Sequence, residues 1–314
     1  MLTKKKNNNI YLATTSFGLH SDKPIQVLNQ FTQNVKYNDA GKKLGSHDMI
    51  NQLNGIDGVI AGTENYNKEN LDNLNDLKVI SRLGVGIDNI DIEHAKELGI
   101  KIYTTSTSPA LAVAELVLGL IINLSRKISL SHSDLKSKKW NKRMGLLLSG
   151  KTLGIIGLGT IGKQLVKISS GFNFNILAFD INIDNEFKDQ YNITYCELDE
   201  LLAKSDIISL HLNLTEQTKG LINKEKLDLI QPNAIIVNAS RGEIINEEFL
   251  LNALKDNKIG GVGLDVYNEE PYFGPLSKFD NVVLTPHIGS YAKELRIQME
   301  IEAVNNLIKG LNEV

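Results

Sequence analysis

The chain has one cysteine, six prolines and one tryptophan in 314 residues, and only 6% of its residues are aromatic. A lone thiol, Cys196, cannot form an internal disulfide, so no disulfide framework staples this fold, and the composition fits a reducing compartment. Proline is scarce and no Pro/Gly/Ser-rich run occurs, so no linker composition marks a domain boundary. No apolar run reaches the ~20 residues that a membrane span needs. A dominant charge sign is also missing. The net charge is −3 with Lys and Asp/Glu interspersed, which points away from nucleic acid and from membrane surfaces. Met1–Lys6 is basic like a signal-peptide n-region, but Ile10–Ala13 is too short for the h-region that would follow. Asn192-Ile-Thr194 and three similar triplets match glycosylation acceptors, which without secretion are chance matches. The expectation is a cytoplasmic protein. Its 42% hydrophobic content allows a sizeable core, and its length suggests two domains of roughly 100–200 residues each.

The most informative stretch is Lys151–Asp180, KTLGIIGLGTIGKQLVKISSGFNFNILAFD. It reads as strand, glycine turn, helix and strand, closed by an acid. Gly157, Gly159 and Gly162 give G-x-G-x-x-G. The first permits a tight turn, the second lets backbone approach a pyrophosphate, and the third lets helix and strand pack closely. Thr160 and Ile161 open the helix, whose free N–H groups and positive dipole end favour phosphate. Asp180 lies 23 residues after Gly157, near the usual offset of about 20 for a carboxylate that holds a ribose 2′-hydroxyl. A turn that merely packs a helix on a sheet would not explain that acid. The unit is predicted to bind a dinucleotide.

Strand and helix signals alternate along the rest of the chain. Strands are predicted at Asn9–Thr14, Asp57–Ala61, Leu77–Arg82 and Lys101–Thr104, and helices at Pro24–Phe31, Lys68–Leu74 and Ile92–Leu98. Alternation of this kind implies parallel βαβ units and an α/β fold. Pro109 opens a helix to about Ser125 that is apolar on nearly every face, so burial on most sides is expected, as an interdomain spine or a subunit interface. A charged helix, Ile128–Lys139, follows. Beyond the glycine unit, strands are expected at Asp206–Leu210, Ala234–Asn238, Gly260–Val266 and Val282–Thr285. Helices are expected at Leu198–Ala203, Lys224–Ile230, Glu247–Lys255 and Ala292–Ile308.

Three polar residues follow strands of this second set: Arg241 in NASRG, Glu270 in DVYNEEP and His287 in TPHIGS. The carboxyl ends of strands are where open α/β sheets bind ligands. Arg241 offers a bidentate fork to a carboxylate. His287 is the one side chain of the three that exchanges protons near neutrality, and Glu270 would fix its ring. Each has a plainer reading: Arg241 as a surface ion pair, Glu270 as a turn residue with Glu269 as its competitor, His287 as a loop cap. The other histidines, His20, His47, His94, His132 and His211, have no comparable context. Lys142 and Arg143 read as a solvated face. No spacing reads as a metal site, and no nucleophilic Ser or Cys arrangement occurs.

Taken together, SRLGVGIDNIDIEHAKELGI, AVAELVLGLI, GKTLGIIGLGTIGK with Asp180, VNASRGEIIN, LDVYNEEP and TPHIGS make the chain resemble the D-isomer-specific 2-hydroxyacid dehydrogenase family, over about residues 57–307. The likeness is to its short, phosphoglycerate-dehydrogenase-like branch. The resemblance implies two doubly wound parallel-sheet domains. A Rossmann coenzyme domain, 105–291, is inserted in a discontinuous flavodoxin-like substrate domain, 1–104 plus 292–314. It implies NAD as coenzyme and a small 2-hydroxy or 2-oxo acid as substrate. Arg241, Glu270 and His287 become the catalytic set, with Arg82, Val85, Gly86, Arg241 and His287 against the substrate. Asp265 would meet the nicotinamide carboxamide, and His211, Thr215, Ala239 and Gly289 would join the glycine motif around the coenzyme. A homodimer through the coenzyme domain is implied, with the Pro109 helix in its interface.

Departures from the family pattern bear on specificity. His211-Leu-Asn-Leu-Thr215 has Asn213 where the family usually has proline. Ala61 stands where phosphoglycerate enzymes often carry an arginine, which leaves Lys142 or Arg143 as substitutes. No regulatory domain is expected after the last helix. The formate branch would have Gln at position 270 and the phosphite branch a lysine in the RLGVG loop. The resemblance implies an NAD-dependent D-2-hydroxyacid dehydrogenase with a phosphoglycerate-dehydrogenase-like activity, and glyoxylate or hydroxypyruvate reduction is the alternative. An NADH-sensing scaffold like the family's corepressors is the alternative of another class, and an S-adenosylmethionine enzyme with a similar glycine loop a further rival.

Overall fold

The computed structural model describes residues 7–314, so the basic opening Met1–Lys6 lies outside the described residues. In chain order the elements are β1 (Ile10–Leu12), α1 (Lys23–Phe31), β2 (Val35–Tyr37), α2 (Ser46–Leu53), β3 (Gly58–Ala61), α3 (Lys68–Leu71), β4 (Val79–Arg82), α4 (Ile92–Glu97) and β5 (Lys101–Thr104). Then come α5 (Ala110–Arg126), α6 (Ile128–Lys136), β6 (Thr152–Ile156), α7 (Thr160–Ser169), β7 (Asn175–Phe179), α8 (Asn185–Tyr191) and β8 (Thr194–Tyr195). The chain closes with α9 (Leu198–Lys204), β9 (Ile207–Leu210), α10 (Lys224–Leu229), β10 (Ile235–Asn238), α11 (Glu247–Lys255), β11 (Gly261–Leu264), β12 (Val282–Leu284) and α12 (Lys293–Asn312). Five helices start on an Asn or Asp side chain that accepts a first-turn amide: Asn67, Asp91, Asp184, Asn223 and Asn246. These caps satisfy an otherwise orphaned donor.

The chain forms two compact units. One runs up to Ser108 and adds Tyr291–Val314; the other is Pro109–Ser290. The first holds a parallel sheet in the order β2-β1-β3-β4-β5, the flavodoxin-like arrangement. Alternate residues face opposite sides of it. Tyr11, Val59 and Ile80 join a core with Met49 and Leu53, while Ile10, Leu12, Ile60 and Val79 meet Met299, Ala303, Val304 and Leu307 of α12. Burial of each such side chain contributes about 1.5–3 kcal/mol. That packing ties the last helix to the first sheet. A Cβ at Gly58 would sit 2.8 Å from Leu307, so glycine is what lets α12 lie this close.

The second unit holds β12-β11-β10-β9-β6-β7-β8, all parallel. Counted from β6, this is the Rossmann order 3-2-1-4-5-6 with one more strand at the edge. Its central strands β9, β10 and β11 are buried throughout, as strands covered by helices on both faces must be.

Two sequence expectations meet the structure here. The first concerns α5, which within one chain is buried along one face, through Ala110, Val113, Ala114, Val117, Leu120, Ile121 and Leu124. Leu111 is half exposed and Leu116, Leu118 and Ile122 are only partly covered, so burial on most sides would take a second subunit. The second concerns elements absent from the predicted pattern: β2, α2, α8 and β8. β2 and β8 are short edge strands, and α2 and α8 bury only Met49 with Leu53 and only Phe187. Elements that bury so little carry little periodic signal.

Ahead of the Ser108–Pro109 crossing, α12 grips the chain. Glu302 accepts from the amide and hydroxyl of Ser106 (2.5 and 2.6 Å) and from those of Thr107 (2.9 and 2.6 Å). Burial pushes the Glu302 pKa up, but these four donors outweigh it and hold it at about 2. A depressed folded-state pKa stabilises the fold above the ordinary value and is lost as pH falls towards the depressed one. Glu302→Gln is therefore expected to lower stability by about 1 kcal/mol near neutral pH. The gap from wild type should close between roughly pH 4.5 and pH 2 in denaturant titrations; a gap independent of pH would contradict the assignment.

Candidate active site

The glycine turn is built as its sequence implies. Gly157 has φ +94°, and a Cβ there would lie 2.6 Å from the His211 carbonyl oxygen. A Cβ at Gly162 would lie 2.6 Å from the Gly157 carbonyl oxygen, whereas Gly159 faces open space. No side chain caps α7 at Gly159, so the leading N–H groups at Thr160 and Ile161 remain for an anion. Asp180 closes β7. One of its oxygens accepts from Leu158 N (2.7 Å) and the other from Asn182 N (2.8 Å). Each oxygen keeps a lone pair beyond these bonds, so a ribose diol can still be accepted. These residues fit a dinucleotide.

His211 lies just past β9. Its Nε2 contacts Ser209 Oγ at 2.9 Å, its Nδ1 is buried without a partner, and burial lowers its pKa to about 4. The ring is thus neutral at physiological pH. The following loop does without the family's proline: Thr218 Oγ1 donates to the Asn213 carbonyl (2.6 Å), and Thr215 N donates to Thr218 Oγ1 (2.8 Å). Side-chain bonds close the turn that a proline ring would otherwise stiffen.

Arg241, Glu270 and His287 follow β10, β11 and β12, three adjacent parallel strands, so all leave the sheet at its carboxyl edge. Ala239 lies between β10 and Arg241. The Arg241 backbone is fixed by Asn238, whose side-chain amide donates to the Arg241 carbonyl (2.8 Å). Gly242 is required by close approach, because a Cβ there would run into the carbonyl of Tyr267. Both Glu270 carboxylate oxygens meet His287 Nδ1, at 3.0 and 2.9 Å. The pair is partly exposed, 41% for the histidine side chain and 26% for the glutamate. Glu269 is not the partner. His287 has φ +54°, an uncommon conformation away from glycine that concentrates at functional sites.

Asp265 holds that conformation in place. It is almost wholly buried, and its oxygens accept from Thr285 Oγ1 (2.6 Å), Ile288 N (2.8 Å) and Gly289 N (2.8 Å). Burial raises its pKa; Thr285, the two amides and the nearby imidazole pull the other way. Tyr267 adds a second tie that sequence reasoning missed. Its hydroxyl donates to the carbonyls of Leu264 and Thr285 (3.2 and 2.9 Å), and its ring stacks on Tyr272 at 4.5 Å. The tyrosines flanking NEEP were the signal that could have found it.

In the other unit, Arg82 ends β4. Its guanidinium packs beneath Gly84, where a Cβ would lie 2.8 Å from it, and donates to the Leu83 carbonyl. Val85 is exposed, and the Val85 and Gly86 amides make no backbone hydrogen bond among the described residues. Arg143, a candidate phosphate ligand by sequence, is held by Asp134 at 2.6 and 3.1 Å.

The family model described as D-isomer specific 2-hydroxyacid dehydrogenase, NAD binding domain, matches residues 118–289. A glyoxylate reductase of Thermococcus litoralis is 38% identical over 273 residues, 83% of this chain and 82% of the relative. A D-3-phosphoglycerate dehydrogenase of Methanocaldococcus jannaschii is 38% identical over 282 residues, 88% of this chain. The match spans only 53% of that longer relative. The crystal structure of a phosphoglycerate oxidoreductase from Vibrio cholerae superposes with a TM-score of 0.88 at 26% identity, covering 98% of this chain and 99% of that one. No described helix is long and apolar enough to cross a membrane. The chain belongs to the D-isomer specific 2-hydroxyacid dehydrogenases, NAD-dependent oxidoreductases that act on a CH–OH group.

Proposed function

We propose that the chain interconverts a small D-2-hydroxy acid and its 2-oxo acid, with Pro109–Ser290 as the coenzyme unit and the other unit as the substrate unit. The observation that carries this reading is the Glu270–His287 pair (2.9 Å) at the edge where Arg241 also leaves the sheet. The coenzyme, when bound, would supply the hydride acceptor for oxidation as NAD and the hydride donor for reduction as NADH. Glu270 accepts the hydrogen bond from Nδ1–H of His287, which leaves Nε2 as the atom that gives a proton to the carbonyl oxygen or takes one from the hydroxyl. In the coenzyme unit Arg241 offers its fork to a substrate carboxylate; in the substrate unit the Val85 and Gly86 amides offer donors to a carboxylate. Asp265 fixes the loop on which His287 rides and would meet the nicotinamide carboxamide. His211, Thr215, Ala239 and Gly289 would line the coenzyme.

Of the two substrate readings, glyoxylate or hydroxypyruvate reduction is favoured over phosphoglycerate oxidation. Ala61 offers no cation, Arg143 is already bound by Asp134, and of the two substitutes only Lys142 is left to meet a phosphate. The subunit contact is assigned to the α5–β6 stretch, where Leu111, Trp140, Met144 and Leu147 are 50–92% exposed. We place the enzyme in the cytoplasm.

An NADH-oxidation assay over a panel of 2-oxo acids is expected to give turnover. His287→Ala should lower kcat by about 10²–10⁴, the usual share of general acid–base catalysis; an unchanged rate removes His287 from the mechanism. Retained NADH binding with no turnover of any acid would favour the sensing scaffold. Because Asp180 repels a 2′-phosphate, NADH should be preferred to NADPH by at least about tenfold in kcat/KM; equal use would refute that role. Sedimentation should report a dimer, and the double change Met144→Asp with Leu147→Asp a monomer.

A further inference from the structure

The order β2-β1-β3-β4-β5 changes direction between β1 and β3. In open α/β sheets the ligand crevice lies beyond the strand ends at such a switch point. Three segments leave the sheet there: Thr14 beyond β1, Gly62–Glu64 beyond β3, and Leu83–Gly86 beyond β4. They are tied together. Leu83 N donates to the Ala61 carbonyl (2.9 Å), Asn89 Nδ2 donates to the Glu64 carbonyl (2.5 Å), and a Cβ at Gly62 would lie 2.9 Å from Thr14 Cγ2.

Glu64 is the unexpected residue of this edge. It is 3% exposed, and its Oε2 accepts from Gly62 N at 2.7 Å. Burial raises its pKa, while its own amide, the Gly62 amide and the charges of Arg82 and Lys43 oppose that rise. An asparagine or serine could close the same turn without a charge, so the turn does not account for the carboxylate. Its charge does something else: it offsets that of Arg82, the arginine at this switch point. Beside it, Thr14 Oγ1 is buried without a hydrogen-bond partner, a neutral polar group aligned with the same edge.

We propose that Glu64 is a charge filter at the switch point, admitting 2-oxo acids whose far end is neutral and rejecting those that carry a phosphate there. The inference rests on the dehydrogenase reading and on the Val85–Gly86 loop as the holder of the substrate carboxylate. With the carboxylate on the β4 loop, the C3 substituent runs along the edge towards β3 and β1. A hydroxyl finds Thr14 there. A phosphate dianion meets a carboxylate in a poorly solvated site, where like charges repel strongly, and the single charges of Arg82 and Lys43 do not offset both anions.

The test compares kcat/KM for hydroxypyruvate and 3-phosphohydroxypyruvate, which share a carbon skeleton. The wild-type enzyme should prefer the unphosphorylated acid by about 100-fold or more. Glu64→Gln keeps an acceptor for Gly62 N and loses only the charge. It should shrink that preference at least tenfold, chiefly through KM for the phosphorylated acid, while Glu64→Asp keeps the wild-type ratio. A wild-type enzyme that takes both acids equally overturns the filter, even if no variant folds. So does an unchanged ratio in an active Glu64→Gln enzyme. Absence of turnover with every 2-oxo acid, with NADH still bound, overturns the dehydrogenase reading itself and the filter with it.

Discussion

Parallel pairing constrains everything in this molecule. Each strand must be reached by a crossover from the far end of its neighbour, so every strand in a sheet delivers its carboxyl end to the same edge. That edge is where helices begin and where backbone amides are left without partners. Both sheets obey the constraint, β1 to β5 and β6 to β12. As a result, residues far apart in sequence leave the second sheet side by side: Gly157 after β6, Asp180 after β7, His211 after β9, Arg241 after β10, Glu270 after β11 and His287 after β12. No local rule could bring Arg241 and His287 to one edge; a shared strand direction does.

This is also why much of the site was legible in the sequence. A polar residue that closes or shortly follows an apolar run stands out in the bare sequence; Asp180 closes one, and Arg241 and His287 follow theirs within four residues. Glu270 could not be separated from Glu269 by that rule, because both follow the same run. The 2.9 Å contact with His287 Nδ1 separates them. The central strands were readable because burial on both faces makes them continuously apolar. β2 and β8 were not, since edge strands of two or three half-exposed residues have no pattern to read. The one-sided burial of α5 was hidden for the opposite reason. Its exposed flank is nearly as apolar as its buried one, so composition alone could not say which face is covered.

What the acids hold was the least legible part, and four of them, Asp265 and Glu64 buried among them, share one device. Asp180 accepts from Leu158 N, Asp265 from Ile288 N and Gly289 N, Glu64 from Gly62 N, and Glu302 from Ser106 N and Thr107 N. In each case a carboxylate gathers the amides of a loop that regular structure leaves unpaired, a need that grows with burial. A sequence displays an acid but not the loop that it will hold.

The environments then set these acids apart. Glu302, met by four donors, is driven down to about 2. Asp265 and Glu64 have amide partners too, yet burial raises both. The difference is in how many donors meet how much desolvation, since each hydrogen bond to the charged form offsets only part of the cost of leaving water. An acid left with that cost outstanding in a loop that a neutral side chain could have closed is held there at the expense of stability. Such a residue is where function is to be sought, and Glu64 meets that description at the edge where the first sheet changes direction.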